Sequence, residues 1–154
     1  MFRLTLLRHA KSSWEYPELS DRERPLNDRG RGDAPLMGEI CADALPPPEL
    51  VLVSPAQRTR STVELFFEEW AAAQPQIIYD DDFYLAGRND WFHAVRAFRE
   101  GVSHMLICGH QPGLGDFARW LCPQFQDDIP TAAVVSIDLD DEFTPGNGQL
   151  MFYA

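Results

Sequence analysis

Two histidines in this chain stand beside arginines at points where short apolar segments end. Arg8 and His9 follow the first such segment, Arg58 follows the second, and His110 follows the fourth. A neutral histidine can act as a base, a metal ligand or a nucleophile, and arginine side chains bind phosphate oxygens in pairs. Two histidines and two arginines brought together would therefore form a cationic pocket suited to a tetrahedral dianion.

Such a pocket has two uses. His9 could attack phosphorus in line while the arginines and His110 neutralise charge on the equatorial oxygens, which gives a covalent phosphohistidine that water then hydrolyses. The rival use is metal binding, but zinc takes three or four ligands, and the nearby Cys108 is predicted to be the last buried residue of a strand. Flanking arginines would also oppose a divalent cation, so we expect no metal and no other cofactor.

The elements that position these residues can be predicted from the spacing of apolar side chains. Apolar, β-branched runs predict six strands, and apolar residues three or four apart predict four helices between them. Strands that alternate with helices are typical of a parallel sheet covered on both faces, which binds its ligand at the carboxyl ends of the strands. The last two strands lack an intervening helix, which predicts an antiparallel hairpin at one edge. The predicted strands are residues 2–7, Leu50–Val53, Gln76–Tyr79, 104–108, Val134–Leu139 and 149–152, and the predicted helices are residues 29–44, 54–73 (with Ser54 as N-cap), 90–99 and one from about 112.

The composition is that of a globular protein. With 154 residues, of which 45% are hydrophobic, we expect one domain over residues 1–154. A formal net charge of −11 argues against nucleic acid as a partner, and no apolar run approaches the ~18 residues of a membrane span. The three scattered cysteines indicate neither a disulfide framework nor a zinc site. We therefore expect a cytoplasmic protein, acting as a monomer without contact to a membrane.

Four segments of the chain resemble the histidine phosphatase superfamily and, within it, the short SixA-type phosphohistidine phosphatases. They are LLRHAKSSW at residues 6–14, DRERPLNDRG at 21–30, SPAQRTRST at 54–62 and GHQPGL at 109–114. The segments occur in the family's order, and the similarity runs from residue 3 to about residue 139. The resemblance implies a phosphoglycerate mutase-like fold, which is a three-layer α/β/α sandwich with a mostly parallel central sheet.

The resemblance also implies roles for individual residues. The superfamily's commonest signature has glycine after the Arg-His pair, where this chain has Ala10, and the SixA-like branch tolerates that exchange. Six residues are implied to react with the phosphoryl group or to bind it: His9 as the nucleophile, Arg8 and Arg58 as a clamp, His110 as a stabiliser of the transition state, Arg24 as a further phosphate or substrate contact, and Ser13 as a polar contact to the phosphate.

The chain departs from the family where a general acid is expected. Many members place Glu or Asp after the third strand to protonate an alcohol leaving group, whereas this chain has Asp80, Asp81 and Asp82 without the Glu-centred motif. The triplet is predicted to form a solvated acidic turn, and a catalytic role for one of the three is the open alternative. Because the imidazole of a phosphohistidine leaves readily from its P–N bond, the missing acid favours phosphohistidine as the substrate.

The expected partner is a phosphorylated signalling or phosphotransfer protein, such as a histidine phosphotransfer domain. The alternatives are a phosphatase for a small phosphate ester and a phosphate-binding regulatory module without turnover. Because the chain is acidic, it would repel an acidic partner unless a basic segment forms the docking face. Residues 22–31 carry four arginines against this background, and we predict that they form that face.

Overall fold

The computed structural model describes all 154 residues and contains one six-stranded sheet between two pairs of helices. The first four strands are parallel, the fifth runs antiparallel to the first, and the sixth runs antiparallel to the fifth. This arrangement confirms the predicted α/β sandwich with a mostly parallel sheet and an antiparallel edge. The elements are β1 (Phe2–Arg8), α1 (Asp28–Ala44), β2 (Leu50–Val53), α2 (Gln57–Glu68), β3 (Gln76–Tyr79), α3 (Arg88–Phe98), β4 (His104–Gly109), α4 (Gly113–Leu121), β5 (Val134–Leu139) and β6 (Gln149–Tyr153), with short 3₁₀ turns at Asp21–Glu23 and Asp81–Phe83.

The two faces of the sheet bury separate apolar clusters. In β1, Leu4 and Leu6 pack with α3 and α4, whereas Leu7 packs with α1 and α2. In β4, Ile107 and Cys108 divide between the faces in the same way. Successive side chains of a strand point to opposite faces, so a strand covered on both sides is a continuous apolar run. None of the helices has the length and apolar composition needed to cross a membrane.

The topology opens a crevice at the carboxyl ends of β1 and β4. The strand order is β3-β2-β4-β1-β5-β6, so β1 and β4 are neighbours, with Arg8 paired to Gly109. The chain leaves β1 towards α1 on one face and leaves β4 towards α4 on the other. Adjacent parallel strands whose connections diverge in this way form the usual ligand crevice of an α/β sheet. His9 and His110 are the first residues beyond these two strands.

The second helix is shorter than the predicted range of residues 54–73. It begins at Gln57 with Ala56 as its N-cap, because the Ser54 hydroxyl bonds to a distant side chain and the Ser54 N–H donates to the Cys108 carbonyl of β4. The helix ends at Glu68, and the residues that follow form turns. Trp70 and Ala73 continue the apolar pattern because their side chains are buried in the cluster with α1 and α2, although the residues between them are exposed. Apolar spacing alone therefore extended the helix too far.

Candidate active site

A cavity of about 250 Å³ lies at the carboxyl ends of β1, β2 and β4. Its walls are formed mainly by the loops that follow these strands and by the turn at Asp21–Glu23. The rings of the two histidines lie in it with their centroids 5.4 Å apart. The structure brings five of the six predicted site residues to this cavity: Arg8, His9, Arg24, Arg58 and His110.

His9 is held as a neutral ring with one free nitrogen. Its Nδ1 lies 2.8 Å from the carbonyl oxygen of Ala10, and since a carbonyl only accepts, Nδ1 carries the proton. The Ala10 N–H donates to Oγ1 of Thr62 at 2.9 Å, which fixes the loop. Burial and the charges of the surrounding arginines lower the pKa of His9 to about 4, against the opposing effect of the Ala10 bond. At neutral pH, Nε2 therefore has an unshared electron pair.

His110 is oriented by contacts at both of its ring nitrogens. Its Nε2 lies 2.8 Å from Oγ of Ser54, and its Nδ1 lies 3.3 Å from Nη2 of Arg58. Burial first, and then the charge of Arg58, lower the pKa of His110 to about 3. The ring is only 3% exposed, so His110 enters the site as a buried, neutral and fixed side chain.

Three arginines surround the two rings. Arg24 donates from Nη2 to Oγ of Ser12 at 2.5 Å, and Arg58 donates to the backbone oxygen of Asp21 at 2.7 Å. Arg8, Arg24 and Arg58 each keep a buried Nε without an acceptor in the protein. Leaving a buried N–H of a charged side chain without an acceptor costs free energy. An oxyanion supplies acceptors for several such N–H groups at once.

Asp21 is a site residue that the sequence did not single out. Its Oδ2 accepts hydrogen bonds from the Tyr84 hydroxyl at 2.5 Å and from Nη2 of Arg58 at 3.0 Å. Partial burial favours the protonated carboxyl, but the bonds from Tyr84 and Arg58 outweigh it and lower the pKa of Asp21 below its ordinary value. Asp21 is therefore ionised at neutral pH and positions Arg58, and it is not a proton donor in this state.

The acidic triplet after β3 lies outside the cavity. The Asp80 carboxylate accepts from the backbone N–H of Asp82 at 2.8 Å, as in an ordinary turn cap. Asp81 forms an exposed ion pair with Arg22. The triplet has the geometry of a solvated turn, and none of its carboxylates lines the space between the histidines.

Ser13 is the predicted site residue that the structure does not bring to this cavity. It lines a separate cavity of about 450 Å³, and its Oγ accepts from the N–H of Glu15 at 3.1 Å. The neighbouring Ser12 lines the site instead and binds Arg24. Adjacent residues in an extended segment point in opposite directions, so the sequence located the segment but not which of the two serines faces the cavity.

The basic segment at residues 22–31 is largely neutralised by its own surroundings. Each of its four arginines lies within 4.0 Å of a carboxylate oxygen, in the pairs Arg22–Asp81, Arg24–Asp21, Arg29–Asp33 and Arg31–Asp28. Only Arg24 lines the cavity. The segment is thus a mixed-charge surface, and the argument that it attracts an acidic partner by net positive charge loses its basis.

Comparison with known proteins shows the family to which the chain belongs. The sequence model of the histidine phosphatase superfamily (branch 1) matches residues 4–84. The phosphohistidine phosphatase SixA of Escherichia coli is 29% identical over 149 residues, which cover 93% of this chain and 87% of that protein. An uncharacterised chloroplast protein of Arabidopsis thaliana is 45% identical over 62 residues, which cover 40% of this chain. This match spans only 28% of the chloroplast protein.

The fold is also that of solved structures. The protein histidine phosphatase SixA complexed with tungstate superposes with a TM-score of 0.86 at 24% identity, covering 99% of this chain and 96% of the other. This likeness confirms the predicted phosphoglycerate mutase-like fold. The matched residues 4–84 include β1, the loop after it and α2 with Arg58. The chain belongs to the histidine phosphatase superfamily, branch 1, and this membership supports the prediction that it is a phosphatase.

Proposed function

We propose that this protein is a metal-independent phosphatase that forms a phosphohistidine on His9 and acts on phosphohistidine carried by a signalling or phosphotransfer protein. One observation carries the proposal. The unprotonated Nε2 of His9 stands in a small cavity together with His110 and the guanidinium groups of Arg8, Arg24 and Arg58. This combination offers one nucleophile and several positive donors for the equatorial oxygens of a phosphoryl group.

The first chemical step transfers the phosphoryl group to His9. The Nε2 electron pair forms a bond to phosphorus while the P–N bond to the substrate imidazole breaks. An imidazole protonated on its other nitrogen leaves as the neutral ring, so no protein acid has to supply a proton. The phosphorylated His9 then carries a positive charge, which its Nδ1–H shares with the Ala10 carbonyl at 2.8 Å.

The second step regenerates the enzyme. Water attacks phosphorus, the electron pair of the P–N bond returns to Nε2, and both hydrogens of the water leave with the product as dihydrogen phosphate. His9 is again neutral with its proton on Nδ1. Throughout both steps the arginines stabilise the charge on the transferred oxygens, and His110 adds an N–H to this donor set in its protonated form.

The donor set of the site favours a reaction without a metal. No group of three or more His, Cys, Asp or Glu side chains is placed to hold a metal ion. Arg8, Arg24 and Arg58 already provide the positive charge that a phosphoryl transition state requires. Tungstate, which the matched SixA structure contains, is a tetrahedral oxyanion of the kind that this donor set suits.

The substrate class rests on the leaving group. The one carboxylate in the cavity, Asp21, has a lowered pKa and is bonded to Arg58, so it is not available as an acid. An alkoxide leaves poorly without a proton, whereas an imidazole does not need one. Similarity to the phosphohistidine phosphatase SixA supports the same substrate.

The three buried free cysteines suit a reducing compartment, and we place the reaction in the cytoplasm.

An acid-quench experiment tests the proposal. Wild type, His9→Ala and the control His93→Ala, which changes an exposed histidine, are mixed with a ³²P-labelled phosphohistidine protein and separately with a labelled phosphomonoester. We expect acid-labile, alkali-stable label on wild type and His93→Ala only. Absence of label, or label that persists in His9→Ala, overturns the nucleophile assignment. Faster labelling by the phosphomonoester favours the small-ester alternative.

A further inference from the structure

Two large apolar side chains lie exposed at the mouth of the active-site cavity. Trp14 is 75% exposed and Leu85 is 56% exposed, and both line the cavity. Single exposed apolar residues are common on protein surfaces. These two differ because Trp14 contacts a residue of the site directly and Leu85 follows a tyrosine that does so.

The indole of Trp14 lies on a buried cation. The guanidinium carbon of Arg24 is 3.5 Å from the centroid of the Trp14 ring, and Arg24 is only 8% exposed. Arg24 is itself anchored by its bond to Ser12. A cation over one face of an indole is a favourable contact, so one face of Trp14 is held while most of the side chain remains open to solvent. The ring is a fixed platform beside the phosphoryl site.

Leu85 has a strained backbone. Its φ of 52° lies in the left-handed region, which leucine rarely adopts, and such strain is found where surrounding contacts enforce it. The preceding Tyr84 donates to Asp21 and packs edge-on against His110 with ring centroids 5.7 Å apart. One residue earlier in the chain, the buried Phe83 stacks on Trp91 with ring centroids 5.1 Å apart. These anchors turn Leu85 towards the cavity mouth.

We propose that Trp14 and Leu85 form an apolar rim that contacts the imidazole ring and the adjoining surface of a protein-borne phosphohistidine. The inference rests on the proposed function and makes it more specific. His9 and His110 are 8% and 3% exposed, so only the phosphoryl group has to reach them, and the ring that carries it stays at the mouth. A flat imidazole can stack on the open face of Trp14. The rim therefore selects a ring-borne phosphoryl group over a phosphoryl group without a ring.

The experiment compares two substrates that share the P–N bond. One is a phosphohistidine peptide, and the other is phosphoramidate, whose leaving group is ammonia and has no ring. The variants are Trp14→Ala and Leu85→Asn, since asparagine tolerates the left-handed backbone. The matched control is Leu36→Asn, because Leu36 is 55% exposed on α1 and lies outside the cavity.

We expect each rim variant to lower the ratio of kcat/KM for the peptide to kcat/KM for phosphoramidate by about 3- to 10-fold, as the loss of one aromatic or apolar contact implies. The control should keep the wild-type ratio. An unchanged ratio in both rim variants overturns the proposal. Thermal unfolding verifies that each variant is folded, and Leu85→Gly, which removes the side chain and relieves the strain, gives a second measurement.

Failure of the proposed function gives a different result. If His9 is not the nucleophile, wild type acquires no label on His9 from either substrate, before any rim variant is compared. If the chemistry holds but the rim does not contact the substrate, His9 is labelled by both substrates and Trp14→Ala changes both rates by the same factor. Only the second result contradicts the role of the rim.

Discussion

Nη2 of Arg58 lies 3.3 Å from Nδ1 of His110, and this contact determines the tautomer of the histidine. A guanidinium can only donate, so Nδ1 accepts and the proton of His110 sits on Nε2. Oγ of Ser54 accepts a hydrogen bond from this Nε2–H, at an Oγ–Nε2 distance of 2.8 Å. In this arrangement Arg58 lines the cavity and also donates a hydrogen bond to the His110 ring. A phosphoryl dianion that binds Arg58 would therefore also change the interaction between Arg58 and His110.

We therefore predict that binding of an oxyanion raises the pKa of His110. The free ring has a pKa of about 3 because of burial and Arg58, and a nearby negative charge should raise that pKa by roughly 1–3. The measurement is an NMR titration of ¹⁵N-histidine-labelled protein with and without saturating tungstate. The exposed His93 serves as a reference in the same spectra. Equal titration of His110 in both samples would contradict the prediction.

Ser54 is predicted to be a positioning residue for His110. In Ser54→Ala the buried Nε2–H loses its acceptor, which costs about 1–3 kcal/mol of stability. Because the His110 ring is then no longer held in place, we expect kcat to fall by roughly 10-fold or more. The control is Ser61→Ala, whose hydroxyl is bonded only to Gln57 on the exposed side of α2. A purely structural role would lower stability and leave the ¹⁵N shifts of the His110 ring in folded protein unchanged. A shifted tautomer equilibrium would support positioning.

Ser54 also shows why parts of the site are not predictable from the sequence. The ends of β1 and β4 follow from apolar runs that stop at polar residues, so Arg8, His9 and His110 were located correctly at one edge. By contrast, Ser54 followed by proline has the local pattern of a helix N-cap. Its actual partner is 56 residues away, and a contact at that distance leaves no local spacing to detect.

The same limit applies to Asp21 and to the serine pair. The hydrogen-bond partners of the Asp21 carboxylate are 37 and 63 residues away in the chain, at Arg58 and Tyr84. Segment-level resemblance identified the stretch at 21–30 without showing which of its side chains enters the cavity. Ser12 and Ser13 differ only in which way the backbone turns each of them. Residue types and strand ends predicted which histidines and arginines line the cavity, whereas the residues that orient them, such as Asp21 and Ser54, depend on the tertiary structure.

Two glycines of α1 should respond in opposite ways to the same substitution. A Cβ on Gly30 would lie 2.2 Å from the backbone oxygen of Lys11, two residues after His9, whereas a Cβ on Gly32 would meet nothing within 4 Å. Gly32→Ala should stabilise the helix by about 0.5–1 kcal/mol. Gly30→Ala should destabilise the protein by roughly 2 kcal/mol or more and lower kcat/KM, because it displaces the nucleophile loop. Urea unfolding and steady-state kinetics test both variants.

These two predictions would be contradicted if the Gly30→Ala protein were as stable and as active as the Gly32→Ala protein. Because both substitutions lie on one helix and add the same methyl group, helix propensity cannot account for a difference between them. The difference measures the contact of α1 with the loop after β1. A loss of stability with unchanged kcat/KM would mean that the loop recovers its position once substrate is bound.

Stability should fall as the pH is lowered below about 6.5. His104 begins β4 at the end of the sheet opposite the active site, where its Nε2 lies 2.7 Å from Oγ1 of Thr5. Burial, assisted by the charge of Arg3, lowers the pKa of His104 to about 4, and His9 and His110 are lowered to about 4 and about 3. Between pH 4 and 6.5 the unfolded chain therefore binds more protons than the folded protein, so acid favours unfolding.

Each of these histidines should contribute a slope approaching about 1.4 kcal/mol per pH unit near pH 5. His104→Gln removes one of the three without touching the active site, so we expect the slope of the unfolding free energy against pH between 5.5 and 6.5 to fall by about 1 kcal/mol per pH unit. Urea unfolding at several pH values measures that slope in both proteins. Since the carboxylates are common to both, their titration cancels in the comparison. If the two slopes are equal, His104 is protonated in the folded protein at these pH values, and the buried Thr5–His104 contact must accommodate a charge.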